Sequence, residues 1–154
     1  MLSRTGIHAI RALSSLATLP KEARMGTATL AGLISAPPNY LGKLLQNLAR
    51  HGLVESRKGL HGGFRLARPP RSISLLQIVE PVEQVGRFSG CFLGRSECSD
   101  DDPCTLHHRW AALRDSYMAL LTETTLDDLL ASGTDVVDLA AITVPAAPSQ
   151  TNKS

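Results

Sequence analysis

Apolar residues recur through the first twenty positions at Ile7, Ile10, Leu13 and Leu16, a spacing that predicts an amphipathic helix. Ser3 or Thr5 is placed to cap its start, and Pro20 to stop it. After a polar connection, Leu30, Leu33 and Ile34 mark a second helical segment over Thr29–Ser35, which the Ala36-Pro37-Pro38 step breaks. Asn39 is then placed to cap a third helix running from Tyr40 to about His51, with Leu41, Leu44, Leu45 and Leu48 inward and Gly52 at its end. Two short helices joined by a tight turn form a helix-turn-helix pattern, whose second helix enters the DNA major groove.

The pattern next changes to that of strands. Leu53–Arg57 and Phe64–Ala67 flank Lys58-Gly59-Leu60-His61-Gly62-Gly63, a glycine-rich turn, so a hairpin follows the third helix. These glycines lack the spacing of a P-loop and do not open a helix. Ser74 is placed to cap a short helix, Leu75–Glu80, that Pro81 should interrupt. From Leu106 a helix of about fifteen residues is expected, with Trp110, Leu113, Tyr117, Leu120 and Leu121 as its stripe. Thr124–Leu130 should add a short capped helix with Asp127 and Asp128 in its first turn. From Ser132 the periodicity is lost, and residues 132–154 read as a mostly disordered tail. The fold class is therefore mainly α with a small β-hairpin wing: a winged helix-turn-helix region over 1–71, a cysteine loop and long C-terminal helix over 72–131, and the tail.

Charge sharpens this division. Residues 1–71 carry eleven Lys and Arg against two acids, whereas 72–154 carry five basic and twelve acidic residues, although the whole chain sums to only +2. A basic half joined to an acidic half fits a nucleic-acid reader with an appended regulatory region. The outward positions of the third helix are read as Asn39, Tyr40, Lys43, Gln46, Asn47 and Arg50, a set able to bond base edges or phosphates. Arg57, Lys58 and His61 tip the wing and would suit a narrow minor groove.

Composition removes other classes. At 154 residues with 43% hydrophobic and 19% charged residues, one globular domain with a tail is expected, not a wholly disordered chain. An aromatic content of 4% disfavours a stacking platform for single strands. No apolar run reaches the roughly 18 residues of a membrane span, and no signal-peptide core is present, so the cytoplasm is the expected compartment.

In that reducing setting the three cysteines read as ligands or reactive thiols. Cys91, Cys98 and Cys104 fall within fourteen residues and continue into His107 and His108, a C-x6-C-x5-C-x2-H-H array. Thiolate and imidazole suit zinc and iron-sulfur clusters alike; the wide intervals weigh towards a cluster, and zinc stays open. A Cys-His nucleophile would need an oxyanion site or substrate pocket that no motif supplies, so no enzyme is expected. For the long helix, either a second copy of the chain or the first helix of the same chain is a partner for the stripe.

Taken together, Leu2-Ser3-Arg4-Thr5-Gly6, the stretch Asn39-Tyr40-Leu41 through Leu48, Gly52-Leu53-Val54, the wing Arg57 to Phe64, and the three-cysteine loop with His107 and Trp110 resemble the Rrf2 family of winged-helix regulators, which includes IscR, NsrR and RirA. The resemblance spans Leu2 to about Leu130. It implies a homodimeric transcription factor, read here as a repressor, on a palindromic double-stranded operator. Its long helices would cross, and one iron-sulfur cluster per subunit, 2Fe-2S or 4Fe-4S, would control DNA affinity in response to redox state, nitric oxide or iron status. By position, Cys91, Cys98, Cys104 and His107 become the ligands; Ile7 stands where one branch supplies an acid from the first helix, leaving His8 and His108 as further candidates. Lys43, Gln46 and Arg50 would reach the major groove and Lys58 the minor groove. The alternative is a zinc-stabilised or thiol-based redox regulator without a cluster.

Overall fold

The computed structural model describes residues 2–86, 90–95 and 99–133. Helix α1 runs Arg4–Ala17 and is capped by Ser3, whose hydroxyl accepts from the Gly6 amide at 3.2 Å. It buries Ala9, Ile10, Ala12, Leu13 and Leu16, while Ile7 is 39% exposed. The expected stripe was too wide: at about 100° per residue, Ile7 and Leu16 lie about 180° apart. Ile10, Leu13 and Leu16 keep their expected burial, and Ala9 and Ala12 complete the buried face between them, letting neighbouring helices approach closely.

Helices α2 (Thr27–Leu33) and α3 (Pro38–Arg50) form the helix-turn-helix. Asn39 does not cap α3. The chain enters through extended Pro37, Pro38 takes the first helical position, where its missing N–H costs nothing, and Asn39 lies exposed in the first turn. Leu41, Leu44, Leu45 and Leu48 form the buried side as expected, and Gly52, at φ +70°, turns the chain out of the helix.

Strands β1 (Val54–Arg57) and β2 (Gly63–Leu66) pair antiparallel with Val54 opposite Leu66 and Arg57 opposite Gly63. Met25 and Phe64 exchange both backbone hydrogen bonds at 2.9 Å, tying the hairpin to the segment before α2. Gly63 is required there: at φ +133°, a Cβ would stand 2.6 Å from the Met25 carbonyl oxygen. Arg65 adds ion pairs to Glu55 at 2.9 Å and Glu22 at 3.1 Å. The Arg65 hydrogen bond, with its charge, holds the Glu55 carboxyl below its ordinary range.

Helix α4 (Leu75–Glu83) starts with a reciprocal capping box between Ser74 and Gln77. Pro81 does not interrupt it, contrary to the sequence expectation. The helix ends two residues later, so the proline removes only the one bond its N–H would have made to Gln77. Helix α5 (His107–Glu123) has 17 residues, and α6 (Leu126–Ala131) follows, capped by Thr125 with Asp128. Backbone bonds from Leu75 to Thr124 at 2.9 Å and from Leu126 to Ile73 at 2.8 Å lock the start of α4 to the α5–α6 junction. Ile78, Val79, Val85, Leu121 and Leu126 share a core with Leu13, Leu30, Leu41 and Leu48. The tail expected to be disordered falls almost wholly on residues 134–154, outside the described residues.

Candidate nucleic-acid interface and cysteine loop

One face of α3 stays uncovered because its neighbours pack on its leucine side and on the flanking Tyr40 and Asn47. Asn39, Lys43, Gln46 and Arg50 are all exposed and, spaced four, three and four apart, form a single row beside Thr27 and Phe64. No acid occurs anywhere in α3. The hairpin next to this row carries Arg57, Lys58 and His61, exposed as well. Among the described residues, Lys43, Arg57 and Lys58 make no ion pair, whereas Arg24 and Arg65 are engaged by Glu55 and Glu22. Lys43, Arg57 and Lys58 are thus left free of ion pairs on α3 and the hairpin beside it.

Two residues of the expected outward set sit elsewhere. Tyr40 is half-buried and packs edge-on against the His8 ring of α1, with centroids 5.6 Å apart. Burial first, then the charges of Arg11 and Arg4, lower the His8 pKa below 6.5. Asn47, also half-buried, donates its side-chain amide to the Pro81 carbonyl at 3.0 Å, and its own side-chain oxygen accepts from Arg50 at 3.5 Å. It faces α4, because that helix end has carbonyls with no partner of their own.

The end of α4 also grips α1. Glu83 accepts from the Ser3 amide at 2.7 Å and the Ser3 hydroxyl at 2.8 Å. This approach needs Gly6, whose Cβ would fall 1.9 Å from the Glu83 Oε1. The sequence gives no signal for this pair, eighty positions apart.

Beyond α4 comes the cysteine segment. Cys91 and Cys104 are half-buried; Cys98 lies outside the described residues. The Gly94 amide closes a turn onto the Cys91 carbonyl at 3.0 Å, with Gly94 at φ +75°. Trp110 of α5 donates to the Gly90 carbonyl at 2.8 Å and packs against Phe92, centroids 5.3 Å apart, so the first cysteine is seated on α5. Arg95 bonds the Asp102 carboxylate and, at 3.2 Å, its carbonyl, drawing the loop closed. That hydrogen bond is the main cause of the raised Arg95 pKa, and Cys104 and Cys91 both lie within Coulombic reach of the same guanidinium. The sequence reading missed Arg95; its signal was one cation amid an otherwise acidic loop.

His107 opens α5, its amide bonded to the Cys104 carbonyl at 2.9 Å. Its ring is buried, and Nε2 lies 2.7 Å from Asp100 Oδ1. Ligand-capable atoms of Asp100, His107 and His108 all fall within 4.8 Å of one another. Two thiols and a buried imidazole on one short loop are a donor chemistry that fits an iron-sulfur cluster; the nitrogen and oxygen set beside them fits zinc.

Helix α5 presents Trp110, Leu113, Tyr117 and Leu120 on one face at spacings of three, four and three. Leu113 is 64% and Leu120 57% exposed, while of the expected stripe Leu121 enters the core and Tyr117, half-buried, packs against it. No helix among the described residues is long and apolar enough to cross a membrane.

Comparison with known proteins agrees with this architecture. Residues 2–132 match the family described as Rrf2, iron-dependent transcriptional regulator. A protein of Aquifex aeolicus named as an HTH-type transcriptional regulator is 32% identical, over 84% of this chain and 91% of its own. CymR, the global cysteine regulator of Bacillus subtilis, superposes with a TM-score of 0.72 at 29% identity, covering 88% of this chain and 98% of that one. The IscR of T. potens superposes at 0.69 with 26% identity, covering 86% and 88%. These relatives are transcriptional regulators rather than enzymes.

Proposed function

This chain belongs to the Rrf2 family of transcriptional regulators, and on that footing we propose that it represses transcription as a homodimer on a palindromic operator, its affinity set by an iron-sulfur cluster held in the cysteine loop. The observation that carries the DNA-binding part is the acid-free row Asn39, Lys43, Gln46 and Arg50 beside the exposed Arg57, Lys58 and His61. The α3 row enters the major groove and the hairpin tip lies over the adjacent minor groove, with Tyr40 buttressing α3 against α1. Phosphate charge is met by the cations that the fold leaves unpaired. The apolar seam of Trp110, Leu113, Tyr117 and Leu120 supports pairing of α5 with its copy, which sets the spacing of the two reading helices.

Cys91, Cys98, Cys104 and His107 would hold the cluster, which when bound supplies redox and nitric-oxide chemistry next to α5. The chain's own residues carry the response onward. The loop is the direct continuation of α4, and the end of α4 grips α1 through Glu83 and Ser3 and α3 through Pro81 and Asn47. A loop that changes shape therefore pulls on the reading helix, and DNA binds one arrangement more tightly.

A second reading, metal-stabilised or thiol-based sensing, is favoured by the Asp100, His107 and His108 triad, by the guanidinium of Arg95 near two cysteines, and by the likeness to a cysteine regulator. Anaerobic purification followed by iron, sulfide and zinc quantification on wild type and Cys98→Ala separates the two. Iron and sulfide lost in the variant support the cluster. Stoichiometric zinc, or no metal with a peroxide-dependent DNA affinity, supports the second reading. Failure of the protein to enrich any duplex from a randomised pool would overturn both.

A further inference from the structure

We propose that Leu60, at the apex of the wing, is an apolar reader of the minor groove that selects A·T pairs by excluding the guanine 2-amino group. The inference rests on the DNA-binding reading above and adds a specificity element to it. Leu60 is 95% exposed, by far the most exposed large apolar side chain among the described residues. The others lie on helices or on the cysteine segment that packs against α5; Leu60 stands at a turn with no core beneath it.

The turn fixes that position. The Gly62 amide bonds the Gly59 carbonyl at 2.9 Å, leaving Leu60 and His61 at the two corners. Gly59 sits at φ +101°, and a Cβ on Gly62 would stand 2.2 Å from the Arg57 carbonyl oxygen, so the chain folds back too tightly for another residue there. A lone exposed leucine is ordinary on a protein surface. This one projects from a tip whose other side chains are Arg57, Lys58 and His61, all exposed, so the surface that would bury it is polyanionic.

The minor groove supplies such a surface and explains why an apolar group belongs there. A·T pairs line its floor with acceptors only and leave a narrow channel of enhanced negative potential, which attracts Arg57 and Lys58. A G·C pair adds the 2-amino donor, which Leu60 would both collide with and leave without a partner. Selection therefore operates by exclusion and requires no hydrogen bond from the wing.

The test uses a duplex that the full-length wild type enriches from a randomised pool, with pairs under the wing exchanged one at a time. Inosine·C carries the major-groove face of G·C without the 2-amino group. Wild type should bind A·T and inosine·C forms alike and the G·C form about fivefold or more weakly, while Leu60→Ala should reduce that gap below about twofold. Lys58→Ala should weaken all three equally and lower the salt slope by about one. Inosine·C behaving as G·C, or Leu60→Ala keeping the full gap, would overturn the proposal while leaving DNA binding intact; enrichment with no preference under the wing would do the same. A wild type that enriches nothing would remove the DNA-binding reading and this one with it.

Discussion

Asn47→Ala separates two accounts of one residue on α3, the helix proposed to read DNA. Were Asn47 a base reader, its loss would change DNA affinity and leave stability alone. The structure assigns its amide to the Pro81 carbonyl at 3.0 Å, in a half-buried setting. Removing the donor forfeits a hydrogen bond of about 0.5–1.5 kcal/mol net, and a carbonyl left partly dry raises the cost to about 1–2 kcal/mol. Alanine returns about 0.5 kcal/mol through its higher helix propensity. The expected loss is thus about 1 kcal/mol, which for a domain of this size lowers Tm by about 3–5 °C. Urea unfolding should show an earlier midpoint at unchanged m-value. Asn47→Asp, which keeps an acceptor for Arg50 but loses the donor, should be destabilised at least as much. A change below about 0.3 kcal/mol in both variants, or a selective loss of DNA affinity without loss of stability, refutes the reasoning.

Three further outcomes follow from the same contacts. Gly6→Ala should be near neutral, because a helix gain of about 1 kcal/mol offsets the displaced Glu83 carboxylate; in a Glu83→Ala background it should stabilise, so a double-mutant cycle should reveal coupling of about 1 kcal/mol, and strict additivity would refute the contact. Leu113→Glu with Leu120→Glu should raise the monomer–dimer dissociation constant at least about thirtyfold by sedimentation, with the helical circular dichroism retained. The Asp128 carboxyl is held below its ordinary 3.8 by the Thr125 hydroxyl and then its backbone N–H; its contribution is fully present above that value and lost as pH falls through the lower folded value, so the stability gap between wild type and Thr125→Ala should narrow as pH falls below 3.8.

Local patterns carried most of the fold into view. The leucines of α3, the proline step before it, the glycines of the hairpin and the capping residues Ser3 and Ser74 each act within a turn or two of chain, so their spacing is legible in the sequence. Failures occurred where tertiary partners decide, or where two local signals compete. Ile7 fits the apolar rhythm of α1, but no element covers its side, and alanines take the contact. Asn39 has the chemistry of a cap, but Pro37-Pro38 had already set the entry geometry. Pro81 breaks helices in general, and does so little here because α4 was about to end. In the loop, the Arg95–Asp102 and His107–Asp100 pairs depend on how the chain folds back, which spacing alone does not encode.

The same division explains why the chain is arranged as it is. Its proposed reading surface is made of residues the core does not use: α3 turns four leucines inward and leaves Asn39, Lys43, Gln46 and Arg50 exposed. The cysteine segment follows the same end of α4 that Asn47 of α3 and Ser3 of the α1 cap meet. What joins them is one helix end, where orphan carbonyls and a carboxylate must find donors. Asn47 and Ser3 supply them, one from the helix that reads and one from the cap of the helix that packs against α4. The joint is thus the ordinary saturation of a helix terminus, and under the proposed function it is the place where a shift of the following segment would be felt by both helices.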